Sequence, residues 1–422
     1  LNLAEIEHLN LYPFQRSSAI FHAQRRYSMN CSEMGLGKSR MALAAAILAG
    51  VRDVAVFAPA FLRKTWEHEA KECGVKITFT SYTVVQNITE IEWHVLAHKN
   101  FWIFDEAAYL KNPFAKRTKA LNYALRTYKP SYLIMLTGTP IRNKAFDFWT
   151  LLAYTDANPV PNLDEKKLVG RLRTYTGFAD HFCESREIRL PGRKPIKKYM
   201  GLRDERTEEL KTLLRGKYIR HTIESVNLQL PPLINKDIYY DLQETPGMAE
   251  VFKSYTEGQK ASPTGKEQSA RLKVPHTIAY IDYLMENEGI KQCVVFTDHV
   301  APANAISEGT RQYGSYAITG QTDVQDRMLA VDQFQRGNIN VLVCTIGSMS
   351  VGVTLTSAQD VIFNDLSWVP ADNMQARKRI HRIGQSKKCR CHHIISGPTD
   401  AYIKAILDEK ELTINKVLEE TK

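Results

Sequence analysis

Glu33-Met34-Gly35-Leu36-Gly37-Lys38-Ser39 is the stretch on which the reading of this chain turns. A short β-rich run, Tyr27–Cys31, precedes it, and an alanine-rich helical run, Arg40–Leu48, follows. A glycine-rich turn between a strand and a helix aims backbone N–H groups and a helix N-terminus at one point, which is how phosphate oxygens are held. Gly35 and Gly37 supply the turn, Lys38 reaches the β- and γ-phosphates of a nucleotide, and the Ser39 hydroxyl completes a Mg²⁺ shell. The first glycine of the full GxxxxGK[ST] pattern is missing, since Ser32 stands there. A strand-to-helix turn with an incidental Lys-Ser is the bland alternative.

Outward from this loop the chain alternates strands and helices. Apolar runs at Val54–Pro59, Ile77–Tyr82, Phe101–Asp105 and Tyr132–Thr137 are separated by helical stretches such as Leu62–Cys73. That rhythm predicts a parallel sheet with helices on its faces. A second series follows at Gln292–Thr297, Val341–Thr345, Val361–Asp365 and Cys391–Ile395. The region between, about 156–232, is charge-dense, with helical periodicity as in Glu205–Tyr218 and few strand signals. Gly258–Ser269 reads as flexible, because it holds almost no apolar residue. The fold class is therefore α/β, with two lobes: residues 1–155 binding nucleotide, 156–235 a helical insertion and bridge, and 236–422 the second lobe.

Two further motifs end strands of the first lobe. Phe101-Trp102-Ile103-Phe104-Asp105-Glu106 closes an apolar strand on two acids, which is costly unless the acids face a site. Asp105 then holds Mg²⁺ through water, and Glu106 orients and deprotonates the attacking water; a helix N-terminus favouring acids is the alternative. Leu136-Thr137-Gly138-Thr139-Pro140 ends the next strand with small hydroxyl residues.

Taken in order, these strings resemble superfamily-two helicase-like ATPases, and more narrowly the Swi/Snf family of DNA translocases. Leu11-Tyr12-Pro13-Phe14-Gln15 is similar to the family's adenine-reading segment, with Gln15 on the base. Ala58-Pro59 with Leu62, Trp66 and Glu69, then Thr80-Ser81-Tyr82, resemble its next motifs. Asp105-Glu106-Ala107-Ala108 with Leu110-Lys111-Asn112, and Thr137 to Asn143, resemble the two after those. In the second lobe Val294 to Thr297 opens the half, and Gln375-Ala376-Arg377-Lys378-Arg379-Ile380-His381-Arg382-Ile383-Gly384-Gln385 closes it. The resemblance runs from about Leu11 to Ile406. It implies two RecA-like lobes, ATP and Mg²⁺ as cofactors, and DNA, double-stranded or branched and without sequence preference, as partner. It adds Gly352 and Gln375 to the nucleotide site, and Arg63, Lys64, Ser81, Thr345 and Trp368 to the DNA path, with plain packing as the alternative for Trp368.

Arg379 and Arg382 are three apart, so on a helix they share a face that can address a γ-phosphate when the lobes close. Such arginine fingers are worth roughly 10³–10⁵ in rate; a solvated basic helix is the alternative. Several positions depart from the family pattern. Ser32 replaces an acid, Ala108 a histidine and Arg142 a glutamine. The stretch Thr345 to Leu355 is one residue longer than usual, with Thr354 where Asn is common. This variant resembles the distant branch that includes annealing helicases and fork-remodelling enzymes, and the minimal build resembles phage, viral or bacterial members.

Composition agrees with a globular nucleic-acid partner without demanding one. The chain has 422 residues, 44% hydrophobic and 24% charged, with 56 Lys and Arg against 46 Asp and Glu, a net charge of +10. The basic excess concentrates at Arg186, Arg189, Arg193, Lys194, Lys197 and Lys198, opposed by Glu187, where Arg193 and Lys194 fall in a loop suited to tracking a phosphate backbone. Seven cysteines without a CxxC pair argue against a disulfide scaffold or zinc ribbon. Cys389, Cys391, His392 and His393 are read as a packed strand. The longest apolar run, Met41–Val51, is too short for a bilayer, so neither secretion nor membrane insertion is expected; the location is cytoplasmic for a prokaryotic or phage protein and nuclear for a eukaryotic one. The activity expected is ATP-dependent movement on DNA, with a strand-separating helicase, or an ATP-gated clamp that scarcely hydrolyses, as the rivals.

Overall fold

The computed structural model describes residues 1–140, 148–155, 174–188, 196–226, 230–240, 263–350, 353–382 and 384–418. The chain divides into two compact units, Leu1–Leu228 with Lys410–Lys422, and Gln229–Glu409.

The first unit is built on a sheet whose strands are β1 (Tyr27–Asn30), β2 (Asp53–Ala58), β3 (Lys76–Ser81), β4 (Phe101–Phe104) and β5 (Tyr132–Leu136). All of their pairings are parallel. Both faces are buried, and the period of two sorts the side chains between them. Trp102 and Phe104 of β4 join the core with Met29 and Phe57, whereas Phe101 and Ile103 join the opposite core with Val54, Val56 and the alanines of the helix Lys38–Leu48. A parallel sheet covered on both faces needs near-continuous apolar strands, and that is why these runs were legible.

The region expected to be helical contains strands. A two-stranded antiparallel pair, β6 (Cys183–Ile188) and β7 (Ile196–Leu202), lies there, followed by β8 (Tyr218–Ile219), which adds to the edge of the first sheet beside β1. The order is β3-β2-β4-β5-β1-β8. Charged residues on β6 and β7, among them the exposed Arg186, Glu187 and Lys197, hid the alternation. The helix expected over Glu205–Tyr218 is shorter, Thr207–Leu214. Phe178, Phe182, Leu202, Leu210 and Leu214 pack into the same core as Met29 and Trp102.

The second unit repeats the architecture. β9 (Leu233–Tyr240), β10 (Cys293–Thr297), β11 (Ser315–Ile318), β12 (Val341–Thr345), β13 (Asp360–Phe363) and β14 (Cys389–Ser396) form a parallel sheet in the order β11-β12-β10-β13-β14-β9. Val294 and Phe296 face one core, Cys293 and Val295 the other. These are two RecA-like lobes in an α/β fold.

The stretch read as flexible is a correction. Residues 258–262 lie outside the described residues, but Pro263 begins a helix that runs to Glu286. Its first two turns hold few apolar residues, but Lys266 and Lys273 are buried and paired with acids. Lys266 bonds Asp298 at 2.5 Å, and Lys273, 1% exposed, bonds Asp400 at 2.7 Å. The Cys–His strand is occupied by neighbours. His392 Nε2 lies 2.8 Å from Asp360 Oδ1, His393 Nδ1 2.9 Å from Asp237, and Cys391 Sγ 3.4 Å from His393 Nε2. Among the described residues no helix is long and apolar enough to cross a membrane.

Candidate functional site

The motif residues of the first unit gather at the carboxyl ends of β1, β4 and β5, the edge where open α/β sheets take their ligands. The loop after β1 turns through Gly35 (φ 84°) and Gly37 (φ 80°), a left-handed backbone that disfavours any side chain. The helix that follows starts at Lys38 and has no acid in its first turn, so its N-terminal N–H groups keep their full positive character. Lys38 Nζ donates to the carbonyls of Ser32 (3.0 Å) and Glu33 (3.1 Å).

Gln15 caps this loop from its own helix, Pro13–Ala23. Its amide donates to Leu36 O (3.0 Å) and accepts from Tyr12 N (3.1 Å). A Cβ on Gly37 would lie 2.5 Å from Gln15 Nε2, so the absence of a side chain at residue 37 is what lets Gln15 close on the loop. Gly138 does the same from β5: a Cβ there would lie 2.7 Å from Met34 Cγ and 3.5 Å from Lys38 Nζ. The Thr-Gly-Thr stretch therefore packs on the loop because it carries glycine there.

Asp105 is buried, with its Oδ2 accepting from the Trp66 indole (2.9 Å) and its Oδ1 from Glu106 N (2.8 Å). Burial raises its carboxyl above the ordinary range, while the Trp66 and Glu106 hydrogen bonds and the charge on Lys38 pull it down. Tyr82 O–H donates to the Asp105 carbonyl at 2.8 Å. Glu106 itself sits at φ 49°, a left-handed conformation that is uncommon for a residue with a side chain and is retained where surroundings over-determine it. Trp66→Phe is expected to raise the Asp105 pKa further, because it removes a donor to the charged form, and to cost about 1–3 kcal/mol of stability; urea unfolding checks the second part.

Two members of this site carried no role in the sequence reading. Ser32, the departure from an acid, accepts from His221 N at 3.1 Å, and Glu33 N donates to His221 O at 2.8 Å. His221 Nε2 lies 3.0 Å from Ser18 Oγ, and its ring meets Phe14 edge-on at 5.5 Å. The loop is thus tied to the chain that returns almost two hundred residues later, a contact with no local signal in sequence. Glu69 lies 3.1 Å from Arg40 of the phosphate-loop helix.

The expected DNA residues are scattered in environment. Arg63 and Lys64 are exposed, with Arg63 3.9 Å from Glu67 and over the Phe79 ring at 4.6 Å. Ser81 is buried at the end of β3, 2.6 Å from Thr83 Oγ1. Lys197 is exposed but shares its charge with Asp180. Arg193, Lys194 and Gly352 lie outside the described residues, as does the side chain of Lys198.

In the second unit the expected helical pair is a correction. The helix Pro370–Arg377 ends before Arg379 and Arg382, which lie in the turns after it. The turn is fixed by Arg379 O, which accepts from Leu355 N at 2.9 Å. Gln375 is half-buried on that helix. Gln385, the last residue of the closing string, spends its amide on Thr356, Ala358 and Ile380 carbonyls at 3.2, 2.9 and 3.1 Å. Arg379 is buried, and Arg382 is half-buried with its pKa lowered by desolvation. Among the described residues no carboxylate pairs with Arg382. Thr345 is buried at the end of β12. Trp368 is half-buried, with Lys266 Nζ 5.7 Å from its ring centre. Arg327, unnoticed in the sequence, binds the carbonyls of Thr319, Thr322 and Ser348 at 3.1–3.2 Å and so shapes the turn after β12.

Residues 34–287 match the SNF2-related domain and residues 276–384 the helicase conserved C-terminal domain. The chain is 27% identical over 95% of its length to the mouse protein named DNA annealing helicase and endonuclease ZRANB3, covering 40% of that protein. It is 26% identical over 96% of its length to a Drosophila melanogaster SWI/SNF-related matrix-associated actin-dependent regulator of chromatin subfamily A-like protein 1, covering 56% of it. It is 24% identical over 81% of its length to the putative ATP-dependent helicase/translocase YwqA of Bacillus subtilis, covering 38% of it. The chain therefore spans between 38% and 56% of the length of these relatives. The solved Sulfolobus solfataricus SWI2/SNF2 ATPase core in complex with double-stranded DNA aligns over 98% of this chain and 98% of that one at 22% identity and a TM-score of 0.42. With the SNF2-related match covering more than half of its length and the helicase C-terminal match following it, the chain belongs to the SNF2 family of helicase-like, ATP-hydrolysing enzymes.

Proposed function

We propose that the protein is a DNA-stimulated ATPase that converts hydrolysis into movement along duplex or branched DNA. The observation that carries the reading is the convergence of the Gly35–Ser39 loop, Asp105, Glu106 and Gly138 on one edge of the first sheet. The residues present fit a nucleoside triphosphate with Mg²⁺. Lys38 Nζ donates to two backbone carbonyls of the loop, the helix N-terminus is free of acids, and Ser39 and Asp105 are the one or two protein ligands that Mg²⁺ commonly takes beside phosphates.

In this reading Gln15 meets the base, while Gly35, Gly37 and Lys38 hold the phosphates. Glu106 orients the attacking water and accepts its proton. Bound Mg²⁺ would neutralise charge on the phosphate oxygens. Arg379 and Arg382 supply the charge that stabilises the transferring phosphoryl group, and Gly352 and Gln375 complete the nucleotide contacts. Arg63, Lys64, Ser81, Thr345 and Trp368 contact the DNA backbone with the basic residues Arg193 and Lys194, so that the motor does not read bases. Residues 1–155 bind the nucleotide, 156–235 bridge, and 236–422 bring the arginines. Hydrolysis needs Asp105 ionised, so Trp66→Phe is also expected to move the acid limb of the pH–activity profile to higher pH while leaving turnover at neutral pH nearly unchanged.

The test places a triplex-displacement assay, which reports tracking along duplex, beside an unwinding assay on forked, branched and blunt substrates. Double-stranded DNA is expected to raise ATP turnover severalfold, and triplex to be displaced. Hydrolysis indifferent to every nucleic acid would sink the proposal. Unwinding of tailed duplexes without triplex displacement would favour the strand-separating helicase, a reading kept open by the name of the mouse relative.

A further inference from the structure

The second unit carries a groove of about 610 Å³ whose lining contains none of the family-motif residues. Its walls come from the amino-terminal ends of β9, β13 and β14 and from the turn before β10. The strands are parallel, so these ends form one edge of the sheet, and Thr297, Thr345 and Asp365 lie past the opposite ends. β10 has five residues, which at about 3.3 Å per residue separates the two edges by roughly 13–17 Å.

The groove is basic in a way that its floor does not cancel. Arg390 is immobilised by Asp360, at 2.6 and 3.1 Å, and by Glu288. Asp360 also accepts from His392 at 2.8 Å, so both acids of the lining are already committed. Lys236, Lys291, Lys387 and Lys388 remain, and among the described residues none of these four is ion-paired. They stand on three separate segments of chain, and Lys291, Lys387 and Lys388 are exposed. Like charges brought together without acids repel one another, and a polyanion relieves that cost. Flexible ammonium groups spread along a groove suit a chain of phosphates better than one small anion, which is better served by a planar guanidinium or a nest of N–H groups.

We propose that this groove is a second binding place for nucleic-acid backbone phosphates, separate from the edge that carries the motor motifs. On a branched substrate it would hold one arm while the motor engages another. The identity of the ligand rests on the reading that the protein acts on DNA; the place and its charge do not.

The test uses the full chain, a short linear duplex and a four-way junction with arms of the same length. Binding is read by fluorescence anisotropy without nucleotide, over a series of salt concentrations. The triple variant Lys291→Glu, Lys387→Glu, Lys388→Glu is expected to bind the junction about tenfold more weakly or worse, with the salt slope reduced by about 2–3, since each phosphate contact contributes about 0.9. Its ATPase rate at saturating linear duplex should stay within about twofold of the parent, and the corresponding Lys→Arg triple should bind the junction like the parent. A circular dichroism melt within a few degrees of the parent establishes that the variant is folded. Unchanged junction affinity and slope would overturn the proposal. So would an equal loss of duplex-stimulated ATPase, which would place the lysines on the motor's own DNA path. Pyrophosphate at millimolar concentration that weakens the parent's junction binding to the variant's level would make the groove a small-anion site instead. A parent chain that binds neither DNA would overturn the functional reading as well, so the two failures are distinguishable.

Discussion

Arg382→Ala is expected to lower DNA-stimulated ATP turnover by about 10³–10⁵-fold, the range in which a transition-state arginine is worth its charge. The guanidinium is half-buried, desolvation lowers its pKa, and among the described residues no carboxylate compensates it. A buried cation without a partner is costly in the resting protein. It is retained where an anion arrives during the reaction, as the phosphoryl group does. Arg382→Lys should recover little, because an ammonium cannot reproduce the planar fork. Steady-state hydrolysis with saturating duplex gives turnover, and nucleotide binding in the absence of turnover gives affinity. Loss in turnover with affinity kept is the expected pattern; turnover within about tenfold of the parent would remove Arg382 from the reaction.

Lys38→Ala and Glu106→Gln are expected to abolish measurable hydrolysis by different routes. In the proposed mechanism Lys38 holds negative charge that grows on the phosphates, and removal of one such donor costs on the order of 10²–10³ in turnover. Its Nζ donates to the Ser32 and Glu33 carbonyls and lies on the side of Gly138. Nucleotide affinity should fall with turnover. Glu106→Gln retains the size and the polar end but cannot accept a proton, which removes roughly 10²–10⁴ of general-base catalysis. Here affinity should persist, and the protein should hold unhydrolysed nucleotide. A Glu106→Gln chain that hydrolyses normally would transfer the role of base to another group. Fluorescent-nucleotide titration beside phosphate release separates the two routes.

Much of the architecture was legible because a doubly covered parallel sheet writes itself as apolar runs. β12 was expected at Val341–Thr345 and lies there, and the other strands of the two motif-bearing series shifted by only one or two residues. β6, β7, β9 and β11 escaped. Their exposed faces dilute the apolar signal, and β8 is two residues long, too short for any periodicity. The helix from Pro263 escaped for a different reason: its buried lysines take acids from distant segments, so their polarity in sequence resembled a loop. Arg379 and Arg382 were assigned to a helix on spacing, but the chain leaves the helix at Arg377 to bond Leu355.

The sequence by itself determined the chemistry available: a glycine loop with Lys38 and Ser39, a strand ending in Asp105-Glu106, and a basic string ending in Arg382. These follow from residue type and local spacing, which a linear string contains. Only the tertiary structure decided which groups tune that chemistry. Trp66 holds Asp105, Gln15 closes over Gly37, Gly138 admits Met34, and His221 anchors Ser32. Each is a contact between segments far apart in the chain, and its strength depends on burial and distance, which the order of residues does not state. The same holds for Lys236, Lys291, Lys387 and Lys388. In sequence they are scattered surface charges, and the sheet brings them to one edge.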